Sequence, residues 1–464
     1  MCTYVRDMPG SAMRIARWIL KPGFLAGALC CGLFAGCVSE RQYRTQSQPA
    51  EYNPKATKDS QAIIEVAPNY TMGFVEFDDQ GWMYGSEDNS KRQQINTVLD
   101  RISAEGETNG LLMVTFVHGW KHNAGGNDGN VLMFHHVLRE LGTMEDVLSK
   151  KQHHPPRRVV GLYVGWRGLS ADIEPFEELS FWDRKNTAEV VGHGAAIQLL
   201  SQLEALRNQI NQKFEGEIAS HQRMTTKLMI IGHSFGGDIV FSAVSPVLME
   251  RMVENNDGAG VPQSPKTLGD LVVLINPAFE AARFEPLERL AATKSFPPGT
   301  NCTLAVFTST ADWATGLAFP IGREVSTVFE SYVNRQQAKA NVIAVGHYAP
   351  YISYELNILD KNAKAKTMLV STNEATPSDS ADSILSMRDK IQRFSTQWVV
   401  TTNELTYDFT HCQLVPTTNC VHNDPVFNVA VAPAIIPNHD DIDRGVFIRF
   451  LEEFLFAFSS GGEK

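Results

Sequence analysis

Gly232-His233-Ser234-Phe235-Gly236-Gly237 decides how this chain is read. The apolar run Leu228 to Ile231 precedes it, and Asp238 to Met252 follows with Ile239, Val240, Ala243, Val244, Val247 and Leu248 at helical intervals. A buried strand, a sharp glycine turn and a helix are therefore expected in that order. Such a turn strains the backbone so that the serine hydroxyl stands clear of the sheet, while glycines on either side let strand and helix approach. Ser234 is thus a candidate nucleophile; the bland alternative is a small residue in a tight turn.

Outward from the turn the pattern repeats. Strand-like runs fall at Leu111–Val117, Val159–Val164, Lys227–Ile231, Leu271–Ile275 and Thr303–Phe307, and the first four are each followed by a longer segment with helical spacing, including Asn186–Ile210. This alternation predicts an α/β fold with a doubly wound, mainly parallel sheet. Gly73–Phe77 and Gly81–Tyr84 flank a polar turn and suggest a hairpin. Residues 317–425 break the rhythm and read as an insertion or cap, after which Val426–Ala432 and Val446–Phe458 restore a strand and a final helix.

With 464 residues, 43% hydrophobic and 20% charged, the chain has ample material for a large core, so disorder and fibrous repeats are excluded. Arg14, Arg17 and Lys21 precede an apolar run, Gly23–Gly36, too short to span a bilayer. Residues 1–36 read as an export signal, 37–60 as a polar flexible tether, and 61–464 as the folded domain. Leu33-Phe34-Ala35-Gly36-Cys37 resembles the bacterial lipobox, although Phe34 stands where an aliphatic residue is usual. That resemblance implies a lipidated Cys37 as the mature N-terminus, in the bacterial envelope, periplasm-exposed and on the outer membrane, since Val38 is not the aspartate of inner-membrane retention.

Loss of the leader removes four cations (Arg6, Arg14, Arg17, Lys21) and Asp7, taking the formal charge from −11 to −14. An acidic body argues against nucleic acid as a partner and leaves acyl chains as the membrane tether. Three cysteines remain beyond Cys37. Cys412 and Cys420 are placed to close a short disulfide loop worth roughly 2.5 kcal/mol; two unpaired thiols are the alternative. No Cys-x-x-Cys, His-Glu-x-x-His or phosphate-loop pattern occurs, so neither metal nor cofactor is expected.

The turn in its setting resembles that of the α/β-hydrolase superfamily, particularly lipase- and esterase-like members. Val117-His118-Gly119-Trp120 resembles the His-Gly-x motif of that family, which implies an oxyanion hole from the amides of Trp120 and Phe235. Asn438-His439-Asp440-Asp441, ahead of the last helix, looks like the family's histidine loop and implies His439 as the base. His347 is a competitor, and His135-His136 and His153-His154 are weaker ones. Asp312, after Thr303–Phe307, is the implied acid, with Glu280 the alternative. The chain order Ser, Asp, His is the family's. The resemblance implies hydrolysis of a carboxylic ester through an acyl-enzyme, with a lipid or other acyl ester as substrate. A non-catalytic envelope lipoprotein that uses the fold as a scaffold is the alternative. Trp120, Trp166 and Trp313 fall at strand ends where such sheets place their ligand crevice; core packing is as good an account of them.

Overall fold

A computed structural model describes residues 42–464 apart from 56–59, 85–93, 169–175, 255–264, 266–267, 298–299, 328, 360–405, 422 and 461–464. The leader and Cys37 lie outside the described residues. In chain order the strands are β1 (Ala50–Glu51), β2 (Ile64–Val66), β3 (Tyr70–Glu76), β4 (Leu111–Val117), β5 (Arg158–Gly165), β6 (Lys227–His233), β7 (Leu271–Ile275), β8 (Leu304–Ser309), β9 (Tyr354–Ile358), β10 (Tyr407–Asp408), β11 (Cys412–Pro416) and β12 (Val426–Val431). They form one sheet in the order β1-β2-β3-β5-β4-β6-β7-β8-β12-β9-β11-β10. From β3 to β12 every neighbouring pair is parallel; among the described residues antiparallel strand pairs occur only toward the two edges.

The helices used below are α1 (Gln94–Thr108), α2 (Gly129–Gln152), α3 (Phe176–Val191), α4 (Ile197–Lys213), α5 (Phe235–Val253), α6 (Ala281–Thr293), α7 (Phe319–Ser326) and α8 (Gly445–Ser460). Side chains alternate across each central strand, as a pleated sheet requires. In β6, Leu228 and Ile230 pack with α1, α3, α4, α5 and α6, whereas Met229 and Ile231 pack with α2 and α8. Burial on both faces is why these strands read as continuous apolar runs. Helix α8 presses Phe447, Phe450, Leu451, Phe454 and Leu455 onto the sheet, each worth about 1.5–3 kcal/mol on burial. Asp128 caps α2 by accepting from the Asn130 amide at 2.9 Å.

Four expectations need correction. The stretch assigned to a tether is, over residues 42–51, part of the body: Gln46 bridges Ala62, β1 pairs with β2, and Arg44 is fully buried, with an ion pair to Glu65 at 2.7 Å. A lone arginine in a polar run carries no periodic signal of burial. The segment 317–425 does not form a separate cap where it is described; β9, β10 and β11 extend the sheet beyond β12. The expected hairpin, by contrast, is present in short form: Phe77 bridges Met83 in antiparallel fashion, the Asp78 amide donates to the Trp82 carbonyl at 2.9 Å and the Tyr84 amide to that of Glu76 at 3.0 Å. Cys412 and Cys420 are free thiols. Cys412 opposes Ile358, at the far end of the β9–β11 ladder from Tyr354, whereas Cys420 reaches the Tyr354 hydroxyl. A strand of that length carries the chain about 13 Å, beyond the roughly 7 Å a disulfide spans. The helical reading of Asn186–Ile210 also divides, with a π-helical segment at Gly192–Ala196 in which Gly194 leaves helical geometry.

Candidate active site

Ser234 sits between β6 and α5 with φ 55° and ψ −120°. A non-glycine residue there is strained, and the surroundings hold it in place. Its amide donates to the Ile275 carbonyl at 2.9 Å, and its own carbonyl accepts from Gly237 at 3.0 Å. The glycines around it are sterically required. A Cβ on Gly236 would stand 2.1 Å from the Val117 carbonyl oxygen, and one on Gly232 would stand 2.5 Å from that of Gly236.

The His439 ring lies over this turn. Ser234 Oγ donates to His439 Nε2 at 2.7 Å, and His439 Nδ1 donates to Asp312 Oδ2 at 2.8 Å. The structure therefore brings together Ser234 after β6, Asp312 after β8 and His439 before α8, from loops at the C-terminal edge of the parallel strands. Asp312 also accepts from the amides of Ala314 at 2.9 Å and Thr315 at 3.2 Å, and from the Thr315 hydroxyl. Burial opposes its charge, but His439 and the Thr315 donors outweigh that and hold the carboxyl at about 2. His439 is raised above its ordinary value: burial lowers it, and the neighbouring Asp312 charge more than offsets that.

Two further histidines, which sequence reasoning assigned no separate role, shape the loops. His118 is buried and held neutral, its value lowered by burial to about 4. It donates from Nδ1 to the Gly119 carbonyl at 2.8 Å and accepts at Nε2 from the Trp166 amide at 3.0 Å. Trp166 stacks on it and returns an indole N–H to its carbonyl at 2.8 Å. Trp166 is thus core packing that shapes the 118–120 turn, not a pocket wall, whereas Trp313 is 60% exposed. That turn is pressed on the serine, since a Cβ on Gly119 would stand 2.7 Å from Ser234 Cβ. This sets Gly119 against Ser234, with Trp120 the next residue in the turn and Phe235, directly after Ser234, opening α5. His233, also buried, donates from Nε2 to the His439 carbonyl at 3.1 Å, and Asn276 Nδ2 donates to the same carbonyl at 2.8 Å. The histidine loop is thereby fixed from behind. The signal for this was present in the His233-Ser234 adjacency, but no spacing rule selects it.

The two competitors lie elsewhere. His347 Nε2 donates to Thr315 Oγ at 2.9 Å and stands behind Asp312 rather than beside Ser234. Glu280 is paired with Arg323 at 2.8 Å and Lys185 at 3.1 Å, on a cavity of about 600 Å3 lined also by Glu189, Arg283 and Asn341. Among the described residues, His233, His439 and Asp440 cluster closely enough to suggest a cation site. Both ring nitrogens of His439 are already engaged by Ser234 and Asp312, so an ion there would have to break that array.

These features define a buried Ser-His-Asp constellation on a mostly parallel α/β sheet. No family model and no curated protein matches the chain. Among solved structures it is similar to a Trichoderma reesei cutinase in complex with a C11Y4 phosphonate inhibitor, at 16% identity over 40% of this chain and 66% of that one, with a TM-score of 0.16. It is also similar to an uncharacterized protein from Pseudomonas aeruginosa, at 12% identity over 47% of this chain and 38% of that one, with a TM-score of 0.21. The chain thus spans just under two thirds of the first and under two fifths of the second.

Proposed function

We propose that the protein is a serine hydrolase of the α/β-hydrolase fold that cleaves carboxylic esters of lipid or other acyl compounds through an acyl-enzyme. The observation that carries this reading is the continuous hydrogen-bond chain Ser234–His439–Asp312 with Ser234 on a strained turn. In the proposed cycle, Ser234 Oγ attacks the ester carbonyl carbon as His439 takes its proton at Nε2. His439 then gives that proton to the departing alkoxide; a water, deprotonated by the same nitrogen, attacks the acyl carbon, the bond to Ser234 Oγ breaks to release the acid, and Oγ takes the proton back from Nε2. Asp312 keeps Nδ1 protonated and steadies the imidazolium. The amides of Trp120 and Phe235 are the proposed oxyanion donors, the latter at the positive end of the α5 dipole. Such donors each supply about 10²- to 10³-fold in rate.

The reading includes an N-terminal lipid anchor at Cys37 after removal of residues 1–36, supported by the order of basic, apolar and small residues before that cysteine. The same layout supports a place in the bacterial envelope facing the periplasm. The test is a fluorophosphonate probe on the mature protein. The native chain is expected to be labelled, and Ser234→Ala and His439→Ala to be silent. A well-folded native protein that stays unlabelled would overturn the reading in favour of the scaffold alternative.

A further inference from the structure

Half of the exposed large apolar side chains among the described residues fall in one short segment: Trp313, Leu317, Ile321, Phe329 and Val333, five of ten. Trp313 directly follows Asp312. Leu317 and Ile321 follow at successive intervals of four, through the π-helical turn Ala314–Ala318 and α7, so the three share one face. On the opposite side of the same segment Ala314, Thr315 and Phe319 are buried. The segment is therefore anchored inward and apolar outward, at the sheet edge that carries Ser234. Contiguous apolar exposure of this kind marks an interaction surface.

The N-terminus identifies the occupant. Tyr43 and Arg44 donate their amides to Glu76, the last residue of β3, and Arg44 Nε donates to Ala124, in the loop that follows β4. The chain therefore joins the body at the C-terminal edge of the sheet, the same edge as Ser234 and Trp313. Tyr43 lies six chain steps beyond Cys37, a reach of at most about 20 Å, where a tether running to residue 60 would allow about 80 Å. Across the sheet order β3-β5-β4-β6-β7-β8, β6 is about 14 Å and β8 about 24 Å from β3. An anchor at Cys37 so short cannot leave the catalytic edge far from the bilayer.

We propose that this edge faces the membrane in which Cys37 is anchored, and that Trp313, Leu317 and Ile321 dock on the lipid surface beside the Ser234 opening. The inference rests on the esterase and lipid-anchor reading above, and names the substrate class as acyl esters held in or delivered by that membrane. The acidic body makes the contact an apolar one, and an indole at the rim suits a lipid–water interface.

The test uses the full acylated protein in phosphatidylcholine vesicles whose acyl chains carry bromine. Bromine is expected to quench at least twofold the part of the tryptophan emission that Trp313→Phe removes. The double variant Leu317→Ser, Ile321→Ser is expected to lower at least fivefold the ratio of turnover on a vesicle-embedded long-chain ester to turnover on a water-soluble short-chain ester. Unquenched Trp313, an unchanged ratio, or a Cys37 shown by mass spectrometry to carry no acyl chain would each overturn the proposal. A native protein inactive on both esters would refute the esterase reading, and the quenching alone would then decide the docking.

Discussion

Asp312 and Asp424 stand at opposite ends of one pair of strands. β8 and β12 run side by side from Leu304 and Val426 to Ser309 and Val431; Asp424 precedes that pair and Asp312 follows it. Both are buried, at 5% and 2% exposure, so burial alone would push both carboxyls up. Against burial Asp424 sets the Val426 amide at 2.8 Å, and it is pushed up to about 7. Glu288, half-buried on α6, is raised by partial desolvation of its carboxyl and then by the nearby Asp424 charge. Asp312 meets the same burial with a histidine, a hydroxyl and two amides, and stays at about 2. A buried carboxylate stays charged where the chain has spent donors on it, and those donors lie at the edge that bears Ser234.

The sharpest way to break this contrast is to remove each charge in turn. Asp312→Asn is expected to lower kcat by about 10⁴, because a carboxamide no longer holds His439 with its proton on Nδ1. Asp424→Asn is expected to leave kcat within about twofold. The pH profile sharpens the same comparison. His439 must be neutral to accept the serine proton and its value is raised by Asp312, so the acid limb of kcat/KM lies above pH 6.5. In Asp312→Asn the residual activity should show that limb displaced to lower pH. Near-native turnover in this variant would break the assignment of Asp312 as the acid.

A smaller effect is expected one residue further out. Thr315 donates both its amide and its hydroxyl to Asp312, and the hydroxyl in turn accepts from His347. Thr315→Val keeps the shape and the amide but removes the hydroxyl. A hydrogen bond to a charged group is worth about 1.5–3 kcal/mol; with His439 and two amides still in place, the lower end applies, and kcat/KM is expected to fall about tenfold. With one donor fewer, the still-charged Asp312 holds the His439 proton more firmly, so the acid limb is expected to move to higher pH, whereas a purely structural role would change stability and leave the limb in place.

Much of this arrangement was legible in the sequence, for physical reasons. Strands buried on both faces have no choice but to be apolar throughout, so β4 and β7 were read to the residue and β5, β6 and β8 within two. The glycines around Ser234 are demanded by contacts near 2 Å and hence stand out. Ser234, Asp312 and His439, chosen by chain order, are brought into one hydrogen-bonded row. What was not legible depends on long-range partners. Arg44 looked like tether because its partners, Glu65, Glu76 and Ala124, are supplied by distant segments. The edge strands β9 to β11 are short and half-buried, so their alternation is too brief to separate from loop. His118 and His233 were invisible as positioning groups because each works through a backbone carbonyl.

The smallest expected effect tests the silent end of the pair. A carboxyl at about 7 when folded and about 3.9 when unfolded keeps a proton on folding that the unfolded chain gives up. The folded state then binds more protons, so stability is full below pH 3.9 and is lost as pH rises toward 7. Asp312 has the opposite sign, but its contribution changes only below about pH 4. His439, being raised, loses stability in the same direction as Asp424, so the informative quantity is the difference between variants rather than the slope of the native protein. Between pH 5 and pH 8 the native Tm should fall by a few degrees more than that of Asp424→Asn, whose amide mimics the protonated acid. The variant also removes the charge that raises Glu288, which flattens its profile further. Parallel Tm profiles in the two proteins would mean that Asp424 is ionised in the folded state, and the contrast between the two ends of the strand pair would fail.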